Sequence, residues 1–290
     1  MAIIELTSSE REFINQAFTF LENPGLIVKI TNLVSTPLEK VHGKLPQKTK
    51  DIISSTVNRS LALALKTAIQ SVSVTPKSEV EVRQSVQGSN LTKWIHIASA
   101  GTAGAIGGFF GALALPLELP VTTGIILRGI SSVADDWGHN LQDPAIQMHC
   151  MYIFALGSTD SSTDDPLGST YLASRIAFAA IIREASAFIA RAGSKEVMQA
   201  IEMGSAPIVI RFISQVATFF EIAVTEKMIA ESLPILGALG GAVINASFCD
   251  YFVDAARFHF GMLHLEEKYG RDAIQKIFLE NKLNGVKRIV

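Results

Sequence analysis

Apolar residues recur along this chain at spacings of three and four, and no run alternates apolar with polar as a strand would. That is the period of a helix face. Over 8–22 the positions Phe13, Ala17, Phe20 and Leu21 share one side, Ser8 or Ser9 offers an N-cap, and Asn23-Pro24-Gly25 supplies the stop. A short helix over 26–36 halts at Pro37, and a basic loop with Gly43 and Pro46 follows. Ile52, Ile53, Val57, Leu61, Leu65 and Ile69 make 49–72 an amphipathic helix. The polar stretch SVTPKSEVEVRQSVQGSN then marks a boundary. It divides an N-terminal helical region with a basic flank, 1–90, from a second helical domain, 91–290.

Beyond residue 91 the texture changes to long, small-residue-rich apolar segments joined by short polar loops. The spacing predicts helices over 91–115, 119–137, 143–156, 168–192, 195–203, 206–222, 224–232, 234–268 and 271–281. Asp143-Pro144 is an N-cap followed by a proline at N1, and Asp165-Pro166 with Ser169 opens the next long helix. The expected fold is all-α, a compact multi-helix bundle with a glycine-rich apolar helical hairpin at its centre.

That hairpin is the most unusual stretch. From Ala98 to Leu127 the one formal charge is Glu118, set between Pro116 and Pro120. Gly101, Gly104, Gly108 and Gly111 lie at spacings of three and four, so a helix would place them on one face, and Gly237, Gly241 and Asn245 repeat the spacing of four. Glycine inside a helix costs roughly 1 kcal/mol relative to alanine, and close helix–helix approach is the compensating gain. Residues 98–117 are long enough to cross a bilayer core of about 30 Å, as are 232–249 at the lower limit. Both are rich in Gly, Ala, Ser and Thr, however, and poor in lipid-facing Leu and Phe. A helix, a prolyl turn at Pro116–Pro120 and a second helix describe a hairpin that enters a membrane part-way and returns.

Composition narrows the classes. Charged residues are only 18 % of the 290 and the net charge is −2, so nothing marks the chain for nucleic acid. A mean hydropathy of +0.32 sits between a soluble globule and a membrane protein. Two cysteines, Cys150 and Cys249, make no disulfide framework, and MAIIELTSSEREFINQAF does not have the form of a signal peptide. The cytoplasm is the expected compartment, with a membrane or lipid surface as partner. Lys40, Lys44, Lys48 and Lys50 form a basic flank that is either a solvated face or a contact for anionic lipid.

Catalytic signatures are weak. GTAGAIGG resembles a phosphate-cradling loop, but helix-like apolar sequence runs through it and the acid that follows lies in PLELP. No GxSxG nucleophile elbow is present, and GSTDSSTDDPLGSTY lacks the glycine and glutamate of a calcium loop. Asp136, His139 and His264 have no metal-site spacing, so no metal and no cofactor are expected. Arg128, Arg175, Arg183, Glu184, Arg211 and Glu221 interrupt apolar helices and suggest an internal ion-pair lattice. Asp250, Asp254, Arg257, Gly261 and His264 form one stripe, with His259 nearer the glycine side. Glu118, Arg128, Asp250, Asp254, Arg257, His259 and His264 make up a candidate polar pocket, with Arg128 or Arg257 as the cation for Glu118.

Two blocks carry a resemblance. GAIGGFFGALALPLELPVTTGIILRGISSVADDWGHNLQDPAIQMHCMYIFALG and TEKMIAESLPILGALGGAVINASFCDYFVDAARFHFGMLHLEEKYG resemble the signature regions of the EcsC protein family, over about 91–290. The family-typical positions here are Glu118, Arg128, Asp143, Asp254, Arg257, His259 and Phe260; a family R-x-E-G is replaced by Asp135-Asp136-Trp137-Gly138. The family is named for a gene beside an ABC transporter, so the resemblance implies a non-enzymatic accessory role in transport or secretion. Two alternatives stand beside it: a soluble helical adaptor, and a hydrolase-type enzyme working through Asp250, Asp254 and His264.

Overall fold

The computed structural model describes residues 5–22, 45–70, 114–157, 169–231 and 237–286. Within them lie eight α-helices, one 3₁₀ turn and no strand. They are α1 (Ser8–Leu21), α2 (Gln47–Gln70), α3 (Leu115–Asp136), α4 (Pro144–Tyr152), α5 (Thr170–Glu202), α6 (Pro207–Glu231), α7 (Gly237–Tyr269) and α8 (Arg271–Val286). The 3₁₀ turn Ile153–Gly157 continues α4. The glycine run Gly101, Gly104, Gly108 and Gly111, the predicted helices 26–36 and 91–115, and the boundary near residue 90 lie outside the described residues.

α3 is central. It packs against α2 on one side and α7 on the other, while α6 packs on α2, on α5 and on the 3₁₀ turn. α2 buries Ile53, Val57, Leu61, Leu65 and Ile69, the predicted stripe, together with Ala64 and Ala68, because two helices cover it. α1 lies across α7 and α8. One apolar core joins all eight helices, with Phe154, Phe220, Phe248 and Phe252 as a ring cluster in its middle.

The cap of α1 is Thr7 rather than Ser8 or Ser9: its hydroxyl accepts from the Glu10 N–H and the Glu10 carboxylate accepts from the Thr7 N–H, a reciprocal box. Asp143 caps α4 by accepting from the Ala145 N–H at 2.8 Å, as its spacing predicts. Ser169 caps α5, and the Glu22 carboxylate, at the end of α1, accepts from Ser169 Oγ and from the Thr170 and Tyr171 N–H groups. A carboxylate at a helix N-terminus meets the positive end of the dipole and ties α1 to α5.

Three predicted breaks are absent or altered. Pro116 and Pro120 make no turn; both lie within α3. Pro116 occupies the first turn, where its missing N–H is no loss, and the Ala114 carbonyl accepts from Leu117 and Glu118 to close that turn. Pro120 forgoes one bond to the Pro116 carbonyl, close to the helix end. The predicted helices 206–222 and 224–232 are one helix, α6, which continues through Ala223 because that residue is fully buried and no breaker stands there. The helices predicted over 168–192 and 195–203 run together as α5, kinked at Gly193, whose φ of 77° only glycine adopts freely. Another glycine matters for space: a Cβ on Gly261 would overlap the Phe13 ring, so α1 seats on α7 through the hydrogen at that position.

Candidate functional site: two buried polar clusters

Two clusters of buried ionisable side chains stand out among the described residues. One lies between α3 and α6. Lys227 Nζ donates to Glu118 Oε1 at 2.7 Å and lies 2.9 Å from Glu231 Oε1, one turn further along α6. Lys227 is 2 % exposed, and the two carboxylates are nearly as buried. The ammonium also faces the Phe248 ring at 5.8 Å. The cation for Glu118 is therefore Lys227, not Arg128 or Arg257. Arg128 is exposed on α3, and the Arg257 guanidinium lies over the Phe258 ring.

Two acids and one base cannot all be comfortable in a dry interior. Burial, then the neighbouring Glu118 charge, raises the Glu231 pKa against the pull of Lys227. Burial works against the Lys227 charge too, but Glu231 and Glu118 more than offset it and raise that pKa. The site holds one firm cation and two carboxylates competing for it. Cys249, which feels both Lys227 and Glu118, is pushed by burial up to about 12 and stays a thiol.

The second cluster is neutral and lies where α4, α5 and α7 meet. Tyr171 OH and His259 Nδ1 are 2.9 Å apart, and His259 Nε2 lies 3.0 Å from His149 Nδ1. Burial, then the charge of Arg175, pushes His149 down to about 3, and burial with His149 itself lowers His259 well below 6.5. Both imidazoles are neutral at physiological pH. Beside them Arg175 makes a two-pronged pair with Glu266, at 2.6 and 2.7 Å, and Tyr152 donates to Ser174 Oγ at 2.9 Å.

His149 opens onto a cavity of about 390 Å³. α4 contributes Ala145, His149 and Tyr152, one helical face at spacings of four and three. α5 contributes residues from Arg175 to Ser186, α7 adds Leu263 and Glu266, and α8 adds Arg271. Ala145 and Ala179 are the two smallest side chains of its lining.

The candidate pocket drawn from sequence is divided by this arrangement. Glu118 belongs to the first cluster and His259 to the second. Asp250, Asp254 and Arg257 lie on the partly exposed face of α7, and half-buried His264 lies tilted against Trp137, with ring centroids 5.6 Å apart. At 1.5 Å per residue, Asp254 and His264 are about 15 Å apart along their helix, too far to act on one atom. Asn245 is fully buried in α7; Gly237 and Gly241 lie in the first turns of the same helix. Of the interrupting charges, Arg175 is paired and Glu221 accepts from Ser54 at 2.8 Å, whereas Arg183, Glu184 and Arg211 are exposed. Among the described residues no group of three or more His, Cys, Asp or Glu is placed to hold a metal ion. Lys227 and His149 were missed by sequence reasoning. Lys227 and Glu231 show a four-residue spacing within an apolar run; His149 has no such signal.

The EcsC protein family model matches residues 15–265, a span that takes in the prolyl block, α6 and the DYFVDAARFHF run of α7. This chain belongs to the EcsC family. The match begins within α1, well ahead of the two signature blocks, so the second half of α1 and all of α2 fall inside the family region of this EcsC chain. No curated protein and no solved structure matches it.

Proposed function

We propose that this EcsC-family chain works at the cytoplasmic face of a membrane, as a non-enzymatic lipid-facing protein accessory to a membrane-embedded transport or secretion machine. The observation that carries this is the start of α3. Leu117 is 80 % exposed and Val121 56 %, one turn apart on the same side, and they follow directly on the uncharged stretch that ends at Ala114. The one charge in these turns, Glu118, is turned inward to Lys227. The outer face of α3 thus carries no charge until Arg128, eleven residues on and about 16 Å along the axis. That is half of a hydrocarbon core of about 30 Å, which favours partial insertion over crossing, with Arg128 at headgroup level.

Among the described residues two helices are long and apolar enough to cross a membrane, α3 and α6, and together they are weak evidence. α6 has the higher mean hydropathy, 1.6, and yet its second half, Ala223–Ala230, is buried in the protein throughout. It is a core helix. The hydrolase alternative draws no support from α7, where its three residues are spread along the helix.

Flotation of the purified protein with neutral and anionic vesicles, at low and high salt, tests this. Salt-resistant flotation is expected, and is lost in a Leu117→Glu, Val121→Glu variant that melts like the wild type. Flotation on anionic lipid at low salt alone would move the contact to Lys40–Lys50. Absence of flotation in the wild type would overturn the membrane reading.

A further inference from the structure

The cavity at the neutral cluster carries chemistry that the membrane reading does not use. Three arginines line it, Arg175, Arg183 and Arg271, against one acid, Glu266. Arg175 is committed to Glu266 by its two-pronged pair. Arg183 and Arg271 make no ion pair among the described residues and stand exposed at the mouth, leaving two uncompensated positive charges on one groove. Beyond them the lining is apolar: Ile182, Leu263, the Tyr152 ring and the two alanines. A volume of about 390 Å³ is that of a small-molecule pocket.

We infer that this cavity binds a phosphate monoester, its phosphate held by Arg183 and Arg271 at the mouth and its organic part laid along the apolar wall. Charge decides between candidate anions. A phosphate monoester carries about −1.5 to −2 at neutral pH and matches two free guanidinium groups, whereas a carboxylate leaves one unmatched. Arginine's fixed fork also suits phosphate oxygens.

His149 supplies the third contact. Its Nδ1 is spent on His259, so Nε2 is the atom it offers to the cavity. The chain Tyr171–His259–His149 has two neutral arrangements, one presenting an N–H at Nε2 and the other a lone pair. Arg175 lies beside Tyr171, its guanidinium 5.5 Å from the ring centroid, and favours electron density on the phenol oxygen. With the Tyr171 O–H donating to His259 Nδ1, and His259 Nε2–H donating to His149 Nδ1, the His149 Nε2–H points outward as a donor. An anion in the cavity selects that arrangement. His149 is a positioning donor for the ligand, with no proton transferred to it.

The phosphate can belong to a soluble ester or to a lipid headgroup. Phenyl phosphate is the probe for the first, titrated calorimetrically into the full chain; vesicles containing phosphatidate are the probe for the second. Saturable binding of phenyl phosphate is expected, weakened about tenfold or more by Arg183→Gln and by Arg271→Gln, since each charge-assisted bond contributes on that scale. Both arginines are exposed, so both variants fold. Ala179→Leu, also on the exposed lip, fills the groove and abolishes binding. Nitrogen-15 histidine spectra should show the His149 Nε2–H form fixed on binding. Phenyl phosphate competing with phosphatidate vesicles would identify a headgroup as the source, and binding without competition a soluble ester. Failure of the wild type to bind, or binding indifferent to all three variants, would overturn the assignment. The Leu117→Glu, Val121→Glu variant retains phenyl phosphate binding, so this test and the membrane test fail separately.

Discussion

The two buried clusters solve the same problem in opposite ways. Between α3 and α6, two acids gather round one firm cation, Lys227, at 2.7 and 2.9 Å. Between α4, α5 and α7, the two imidazoles stay neutral and are held by hydrogen bonds alone. The difference follows from what each must face. The ionic cluster withdraws Glu118 from the outer surface of α3 and leaves that surface apolar. The neutral cluster lies beside Arg175 and Arg271, whose charges make protonated histidine unfavourable. Charge is kept where a partner is guaranteed and given up where positive charge already accumulates.

Removing the cation should break the ionic cluster most severely. Lys227→Met leaves two buried carboxylates with no counter-charge, and denaturant unfolding at pH 7 should show a loss of about 3–5 kcal/mol. Adding Glu118→Gln and Glu231→Gln to that variant should recover much of it. No recovery would mean that packing, not charge, holds α3 on α6.

Acid should separate the clusters next. His149 and His259 titrate in the unfolded chain near 6.5 but far lower when folded, so below 6.5 the unfolded chain takes up protons that the native protein refuses. Stability then falls as pH drops from 6.5 toward 3, by on the order of 3 kcal/mol at pH 4.5 from His149 alone. Glu231 has the opposite sign. Its raised pKa means that the native state holds a proton the unfolded chain has lost, so its penalty grows as pH rises above 4.5 and disappears in acid. Unfolding curves from pH 7 to 4.5 for the wild type and a His149→Gln variant should diverge; parallel curves would contradict the neutral-histidine assignment.

A smaller effect is expected from His259→Gln at pH 7, about 1–3 kcal/mol, because the partners it leaves are uncharged. That this loss stays below that of Lys227→Met is the central test of the contrast. Smallest is Glu10→Gln at the box that caps α1, where Lys268 and Tyr269 also bond the carboxylate. Burial raises the Glu10 pKa, but those bonds and Thr7 outweigh it and lower it to about 2. Its contribution is present above about 4.5 and lost as pH falls toward 2, and screening keeps it under about 1 kcal/mol.

Helix content was legible in the sequence because periodicity is a local property. The stripe Ile53–Ile69 and the caps Asp143 and Ser169 were read correctly from a few neighbouring residues. Pro116 and Pro120 misled because proline near a helix start and proline in a turn look alike without the backbone. The Glu118–Lys227 pair spans 109 positions and joins two helices whose relative placement no periodicity encodes. On α7 the visible stripe of acids proved to be the partly exposed face, while His259, noted as lying nearer the glycine side, is part of the buried chain. The cavity was least legible of all: its lining comes from four helices far apart in sequence, and missing volume leaves no motif.

The seat of Phe13 against Gly261 also bears on the order of events as the chain is made. α1 is synthesised first, yet its resting place on α7 is completed nearly at the end; Glu10 and Lys268, which tie the same two helices, are 258 positions apart. At ribosomal rates of about 5–20 residues per second, that is a wait on the order of tens of seconds. Throughout it the apolar side formed by Phe13, Ile14, Ala17 and Leu21 has no partner on α7. α1 is thus a clasp that can close only late, and a methyl group at position 261 would crowd the Phe13 and Trp137 rings that form its seat.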